Sequence, residues 1–404
     1  MSTLLPRSPS SDRGDPARGR ARRRRRVRVA AGLGVIAALL AVGVALRGPG
    51  SGPLPLPPLP DAVAQAGRTI DRVDGGAVAE PTPQVVGYLP YWEQPAAVRD
   101  ALRASDLLTT AAPWWYAPTS DGAVVEQHPR YTDTGEDVVA MLRGGGLTVM
   151  PTIANHRDGE WDFEIVPRII ADPDVRAAHV GNLVALVEDR DFDGIVIDYE
   201  LLGADDRDNF SAFVTELGAE LHARDRRLAV ALHAQASDEG SGGHNRAQDY
   251  RAIGQAVDEV HLMTYDLHYD ESDPGPVAPL PWVTDVLDYA VERVPPDKLL
   301  LGIGLFGYDW GDDARADGVQ LPQVAERMAL NTGEHGWDEG ARSPWFRYEA
   351  GDEQRIVWYE DARSVEAKLD LVARYQLGGA FLWRLGGVPD DIWHAAGRTL
   401  APDR

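Results

Sequence analysis

Asp193-Gly194-Ile195-Val196-Ile197-Asp198-Tyr199-Glu200 is the stretch on which the fold turns. Ile195, Val196 and Ile197 are β-branched and suit a strand buried on both faces, as in a parallel sheet covered by helices. Asp198 and Glu200 lie two apart at the end of that run and so project to the same side. In a parallel α/β protein ligands gather at the C-terminal ends of strands, which makes this carboxyl pair a candidate acid/base site. The same acids could instead cap a following helix or hold a structural cation.

Working outward, short apolar runs alternate with amphipathic segments from about residue 84 onward, the signature of a parallel sheet joined by helices. Eight runs read as strands: 85–92, 107–117, 147–155, 192–200, 228–235, 259–266, 299–308 and 379–385. Helical spacing links them, as in Val180, Leu183, Val184 and Val187, or Phe210, Phe213, Leu217 and Leu221. Eight strand–helix units predict an α/β chain folded as a (β/α)8 TIM barrel over 84–404, and no glycine-rich phosphate turn supports an open nucleotide-binding sheet. The stretch 311–354 is too long for a simple connection. With a helical segment near 320–330 and the run Trp345-Phe346-Arg347-Tyr348, it predicts a small α+β insertion between the seventh and eighth strands.

The N-terminal part differs in composition. Residues 1–28 read as a basic cytoplasmic tail ending in Arg22 to Arg26 and Arg28, and 29–46 follow without a charge. At about 1.5 Å per residue that run spans a bilayer core, and the arginines before it favour a transmembrane signal-anchor with the body outside. Cleavage at Gly43-Val44-Ala45, giving a secreted protein, is the rival. Residues 47–83, rich in proline, read as an extended linker.

The formal charge is −23, yet residues 1–47 hold eleven Arg against two Asp, so the remainder carries −32. So acidic a body repels nucleic acid and suits a neutral or weakly charged substrate. No cysteine is present, which excludes disulfides and thiol chemistry. His222, His233, His244, His261 and His268 lack the spacing of a metal site, and Ser211 lacks a nucleophile elbow, so neither metal, cofactor nor serine nucleophile is expected.

Two carboxyls on one strand cannot flank a glycosidic bond from opposite sides as nucleophile and acid. One must be the acid. Glu200, the outermost, suits that task, with Asp198 behind it sharing its proton and raising its pKa. Without an attacking carboxylate the substrate must supply its own nucleophile, and the 2-acetamido group of an N-acetylhexosamine can do so.

The octapeptide resembles the D-G-x-D-x-D-x-E signature of glycoside hydrolase family 18, the chitinase-like barrels. His261-Leu262-Met263-Thr264-Tyr265-Asp266 is similar to the family's M-x-Y-D strand, Val86-Gly87-Tyr88 to Trp92 to its first strand, and Phe381-Leu382-Trp383 to its last. Asn155 and the stretch from Pro274 to Trp282 resemble the bacterial branch with spore-cortex and cell-wall lytic proteins. The resemblance implies a substrate-assisted, retaining hydrolase of β-linked N-acetylglucosamine polymers, either chitin-like oligosaccharides or peptidoglycan glycan. Glu200 would be the acid, Asp198 the orienter of the acetamido group, and Tyr265 the third catalytic residue. Tyr88, Trp115, Tyr116, Asn155, Met263, Asp266, Tyr308 and Trp383 would bind substrate, Trp383 under the sugar. One departure stands out: Val196 occupies the place of the first Asp in the D-x-D-x-E set. Hydrolysis is therefore expected to be reduced but not lost, Val196→Asp should raise the rate on a chitooligosaccharide, and a lectin-like barrel with decayed activity is the alternative.

Overall fold

The computed structural model describes residues 82–401, apart from 128, 129, 131, 133, 134, 158, 239–242, 313 and 314. The expected tail, the 29–46 anchor and the linker up to residue 81 lie outside the described residues. Among the described residues no helix is long and apolar enough to cross a membrane.

Eight parallel strands close on themselves: β1 Gln84–Pro90, β2 Thr110–Pro118, β3 Thr152–Ala154, β4 Gly194–Asp198, β5 Arg227–His233, β6 Glu259–Met263, β7 Leu299–Gly304 and β8 Gly379–Trp383. Each pairs with the next, and closure is made where Val86 of β1 meets Phe381 of β8. This is the expected TIM barrel. The barrel helices are α1 Gln94–Arg103, α2 Val138–Gly144, α3 Pro173–Asp189, α4 Arg207–His222, α5 Tyr250–Ala256, α6 Leu280–Val291, α7 Ala362–Tyr375 and α8 Asp390–Leu400. Their helical spacing puts one stripe on the barrel: Phe210, Phe213, Val214, Leu217 and Leu221 of α4 are all buried.

Every residue of β4 is buried, because its sides serve the barrel interior and the helical layer in turn. Tyr199, just beyond, turns outward, where its hydroxyl meets Nε2 of His179 on α3 at 2.7 Å; Asp198 and Glu200 turn inward. Gly194 starts the strand because β5 crowds it: a Cβ there would come within 2.2 Å of the Arg227 carbonyl oxygen. At the far end Leu201 is left-handed, with φ 62°, so the chain breaks away directly after Glu200.

Two expectations need correction. The seventh run is not one strand through 308: Leu305 donates its N–H to the Trp383 carbonyl at 2.7 Å, β7 stops at Gly304, and Phe306–Trp310 enters a second sheet. The insertion is accordingly wider than 311–354. It is a five-stranded antiparallel sheet in the order Asp317–Gln320, Phe306–Trp310, Glu353–Tyr359, Ser343–Ala350, Gly333–Asp338, with the helix Leu321–Leu330 against it. Val319, Val324, Phe346, Tyr348 and Val357 form its core.

Candidate active site

The C-terminal strand ends converge on one pocket, lined by Tyr88 of β1, Asp198 and Glu200 after β4, Ala231 and His233 of β5, Met263, Tyr265 and Asp266 at the end of β6, Phe381 and Trp383 of β8, and Trp161. Glu200 Oε2 lies 3.7 Å from Nε2 of His233, the last residue of the neighbouring β5. Asp198 Oδ2 accepts a hydrogen bond from Trp114 Nε1 at 3.0 Å, while its Oδ1 has no partner among the described residues.

Burial governs the protonation of these groups. It lifts Asp198 to about 6, although the Trp114 bond pulls the other way. Glu200 is pushed well above the carboxylate range, first by burial and then by the charges of Asp198 and Asp266. Of the pair, Glu200 therefore keeps the last proton. Asp266 is lifted to about 7 by burial against a hydrogen bond from Tyr308, and its φ of 63° marks the end of the strand. Burial presses His233 down to about 3, so it is neutral beside the acids. The site can thus present a protonated carboxyl at neutral pH, the requirement for a general acid.

Not every expected residue reaches this pocket. Tyr88, Met263, Asp266 and Trp383 do; Trp115, Tyr116, Asn155 and Tyr308 lie outside its lining. Trp115 points out of the barrel and donates to Gln94 Oε1 of α1 at 2.7 Å, and Tyr116 packs on Phe192. Regular alternation along β2, with Ala112 beside Tyr88, puts Trp114 inside and Trp115 outside; a bulge between Trp114 and Tyr116 then breaks the alternation, so Tyr116 does not follow Trp114 into the pocket. Asn155 serves the backbone: its Oδ1 accepts from the Glu200 N–H at 2.8 Å and its Nδ2 donates to the Glu200 carbonyl at 2.9 Å. Tyr308 donates its hydroxyl to Asp266 of the site, at 2.9 Å. Trp114 and Trp161 are not among the residues the sequence singles out, and His233 is named there only as lacking metal-site spacing; its place at the end of a barrel strand is the signal that points to the pocket.

Trp383 is held from behind. The loop after it donates three N–H groups, from Gly386, Gly387 and Val388, to Asp100 Oδ2 of α1 at 2.7 to 2.9 Å. Gly386 and Gly387 have φ of 127° and 89°, which glycine alone adopts freely. The Trp383 ring then lies 5.5 Å from Tyr88 and 6.2 Å from Trp114, edge-on to both.

A family model described as glycosyl hydrolases family 18 matches residues 84–387, which contain every strand of this barrel and the whole pocket. The chain belongs to that family. As a family 18 barrel it stands among the glycosidases. It is similar to the crystal structure of a chitinase from Chromobacterium violaceum ATCC 12472, with 34% identity and a TM-score of 0.73 over 79% of this chain and 99% of that one. The spore cortex-lytic enzyme SleL of Bacillus megaterium QM B1551 has 26% identity and a TM-score of 0.71, over 80% and 75% of the two chains. Among curated relatives, the cortical fragment-lytic enzyme of Bacillus subtilis (strain 168) is 32% identical over 245 residues, 59% of this chain and 57% of that one. The chain thus spans little more than half the length of that relative.

Proposed function

We propose that this chain is an extracytoplasmic glycoside hydrolase cleaving β-linked N-acetylglucosamine polymers, chitin-like oligosaccharides or the peptidoglycan glycan, by a substrate-assisted retaining mechanism. The observation that carries the reading is the Asp198–Glu200 pair: two buried carboxyls two residues apart at one strand end, turned into the same pocket, with the outer one kept protonated. Glu200 gives its proton to the glycosidic oxygen as that bond breaks. The acetamido oxygen of the same sugar attacks C1, with its N–H turned to Asp198 and its oxygen toward the Tyr265 hydroxyl. Water then opens the ring so formed, and Glu200 takes back a proton. Trp383 supplies an apolar face for the pyranose. Similarity to proteins named as chitinase and spore cortex-lytic enzyme supports this class of substrate.

The test is product release from N-acetylglucosamine oligomers and from purified cell wall. Glu200→Gln should lower kcat by roughly 10²–10⁴-fold while sugar binding persists. If wild type and Glu200→Gln release the same trace of product and both bind sugar, the lectin-like reading, which Val196 favours, takes over. We further propose that 29–46 anchors the chain in the membrane with its C-terminal part outside. Recovery of the full chain in the soluble fraction of lysed cells, or free in the medium, would count against the anchor.

A further inference from the structure

Tyr88 stands in the pocket wall, and its hydroxyl lies 2.6 Å from Nδ1 of His261 on β6. On the other side of that imidazole, Nε2 lies 3.0 Å from Oε2 of Glu259, two residues back on the same strand and hence on the same face. Arg227, at the start of β5, forms an ion pair with the other Glu259 oxygen. Phe381 of β8 stacks on the His261 ring at 5.2 Å, and β7 brings uncharged Leu300 opposite it in register. Tyr88, His261 and Glu259 are all buried. A polar chain thus runs from the pocket wall toward the strand starts, through an interior that barrels usually fill with branched apolar side chains. The acid mechanism makes no use of it.

Charge sets the direction of each hydrogen bond in this chain. Glu259, paired with a guanidinium, is a carboxylate and only accepts. Two acceptors 3.0 Å apart repel, so His261 Nε2 must carry a hydrogen. Burial, and then the Arg227 charge, press the imidazole down to about 3, so it has one proton only. Nδ1 is therefore bare, and Tyr88 must donate its single hydrogen to it. Only lone pairs of the phenol remain for the pocket. Asp198 and Glu200 are close enough for their charges to add to burial in raising the Tyr88 hydroxyl. Val196, at the inner position of β4, offers Tyr88 no polar partner, and β6 supplies one from across the barrel.

We propose that the Glu259–His261 pair positions Tyr88 with its oxygen fixed as a hydrogen-bond acceptor toward the pocket, so that this wall favours a proton on the Asp198–Glu200 pair. The effect on catalysis rests on the acid role proposed for Glu200; the hydrogen-bond direction does not.

Nitrogen-15 NMR of the full chain labelled at histidine, with His261 assigned by its loss in His261→Asn, reads the direction without substrate. Wild type should carry the His261 proton on Nε2, with Nδ1 bare, between about pH 5 and 8. In Glu259→Gln the amide can donate to Nε2, which moves the proton to Nδ1 and frees the Tyr88 hydroxyl to point at the acids. A donor stabilises their charged form, so the alkaline limb of kcat should fall by about one pH unit. KM should change by less than about twofold. A proton on Nδ1 in wild type overturns the proposal, and so does an unmoved limb in a folded Glu259→Gln whose tautomer has switched. If Glu259→Gln does not fold, the wild-type tautomer decides. If wild type is inactive on every glycan, the function proposed above fails while the tautomer still answers.

Discussion

Asn155 shows how far one side chain can be misread from its position. Its place after the third strand suggested contact with substrate, yet both ends of its amide are taken by the Glu200 backbone, and Nδ2 also donates to the Asp162 carbonyl at 3.0 Å. It fixes where the acid stands. Asn155→Ala leaves a buried N–H and C=O of Glu200 unpaired, at a cost of about 1–3 kcal/mol in stability. A displaced acid should also lower kcat by about 10–100-fold, with KM nearly unchanged. Kinetics at a temperature where the variant is fully folded check this, and an unchanged kcat would reduce Asn155 to a merely structural role. Val196 is a different case. It is fully buried, opposite Thr152, whose hydroxyl has no partner among the described residues. Val196→Asp should therefore raise turnover on a chitooligosaccharide and lower Tm, because a carboxyl placed there gains only one evident donor and costs several kcal/mol to desolvate. An unchanged or lower rate would tell against an impaired acid pair.

At the scale of elements, the insertion is tied to the site by neighbouring residues of one strand. Tyr308 bonds Asp266 of the pocket, while Asp309, 1% exposed, accepts from Tyr348 Oη at 2.7 Å, Arg327 Nε at 2.7 Å and Arg355 Nε at 3.1 Å. Removing that carboxylate takes the acceptor from the buried Tyr348 hydroxyl and from Arg327 Nε, while Arg355 keeps its ion pairs with Glu353 and Asp317. Asp309→Ala should destabilise the insertion by about 1–3 kcal/mol. Hydrogen exchange should then speed up over 306–359 more than over the barrel strands, and KM should rise as Tyr308 loosens from Asp266. Uniform exchange across the whole chain would show that insertion and barrel unfold as one unit. The eight strands were legible as apolar runs because each is buried on both faces. Where the seventh strand leaves the barrel was not, since Gly304, Leu305 and Phe306 continue the same apolar pattern and only the Leu305–Trp383 hydrogen bond divides them. The β2 bulge was hidden for a like reason: Trp114, Trp115 and Tyr116 are all aromatic, so composition could not say which of them faces inward.

Over the whole molecule, the site is held at some expense to stability. Asp266 at about 7 and Asp198 at about 6 lie above their unfolded values, so their contribution is full below about pH 4 and is lost as pH rises through the folded values. His233 and His261, each pressed down to about 3, behave oppositely: their contribution is full above about pH 6.5 and is lost as pH falls toward 3. The two windows overlap and oppose, which flattens the wild-type profile. Asp266→Asn removes one side of that balance and keeps an oxygen to accept from Tyr308. Its Tm should exceed wild type by about 2–6 °C at pH 8, with the gap closing toward pH 5. Calorimetry at the two pH values checks it, and a gap that is the same at both would mean Asp266 is not buried as a strained charge. The sequence by itself determined the barrel, the pairing of Asp198 with Glu200 and the choice of Glu200 as the outer acid, because strand periodicity and order along one strand are local properties. Only the tertiary structure decided that Trp114 rather than Trp115 meets Asp198, that His233 stands beside Glu200, and that Tyr88 is held by His261. Those contacts join strands distant in the chain, and closing the barrel is what sets their register and brings them together.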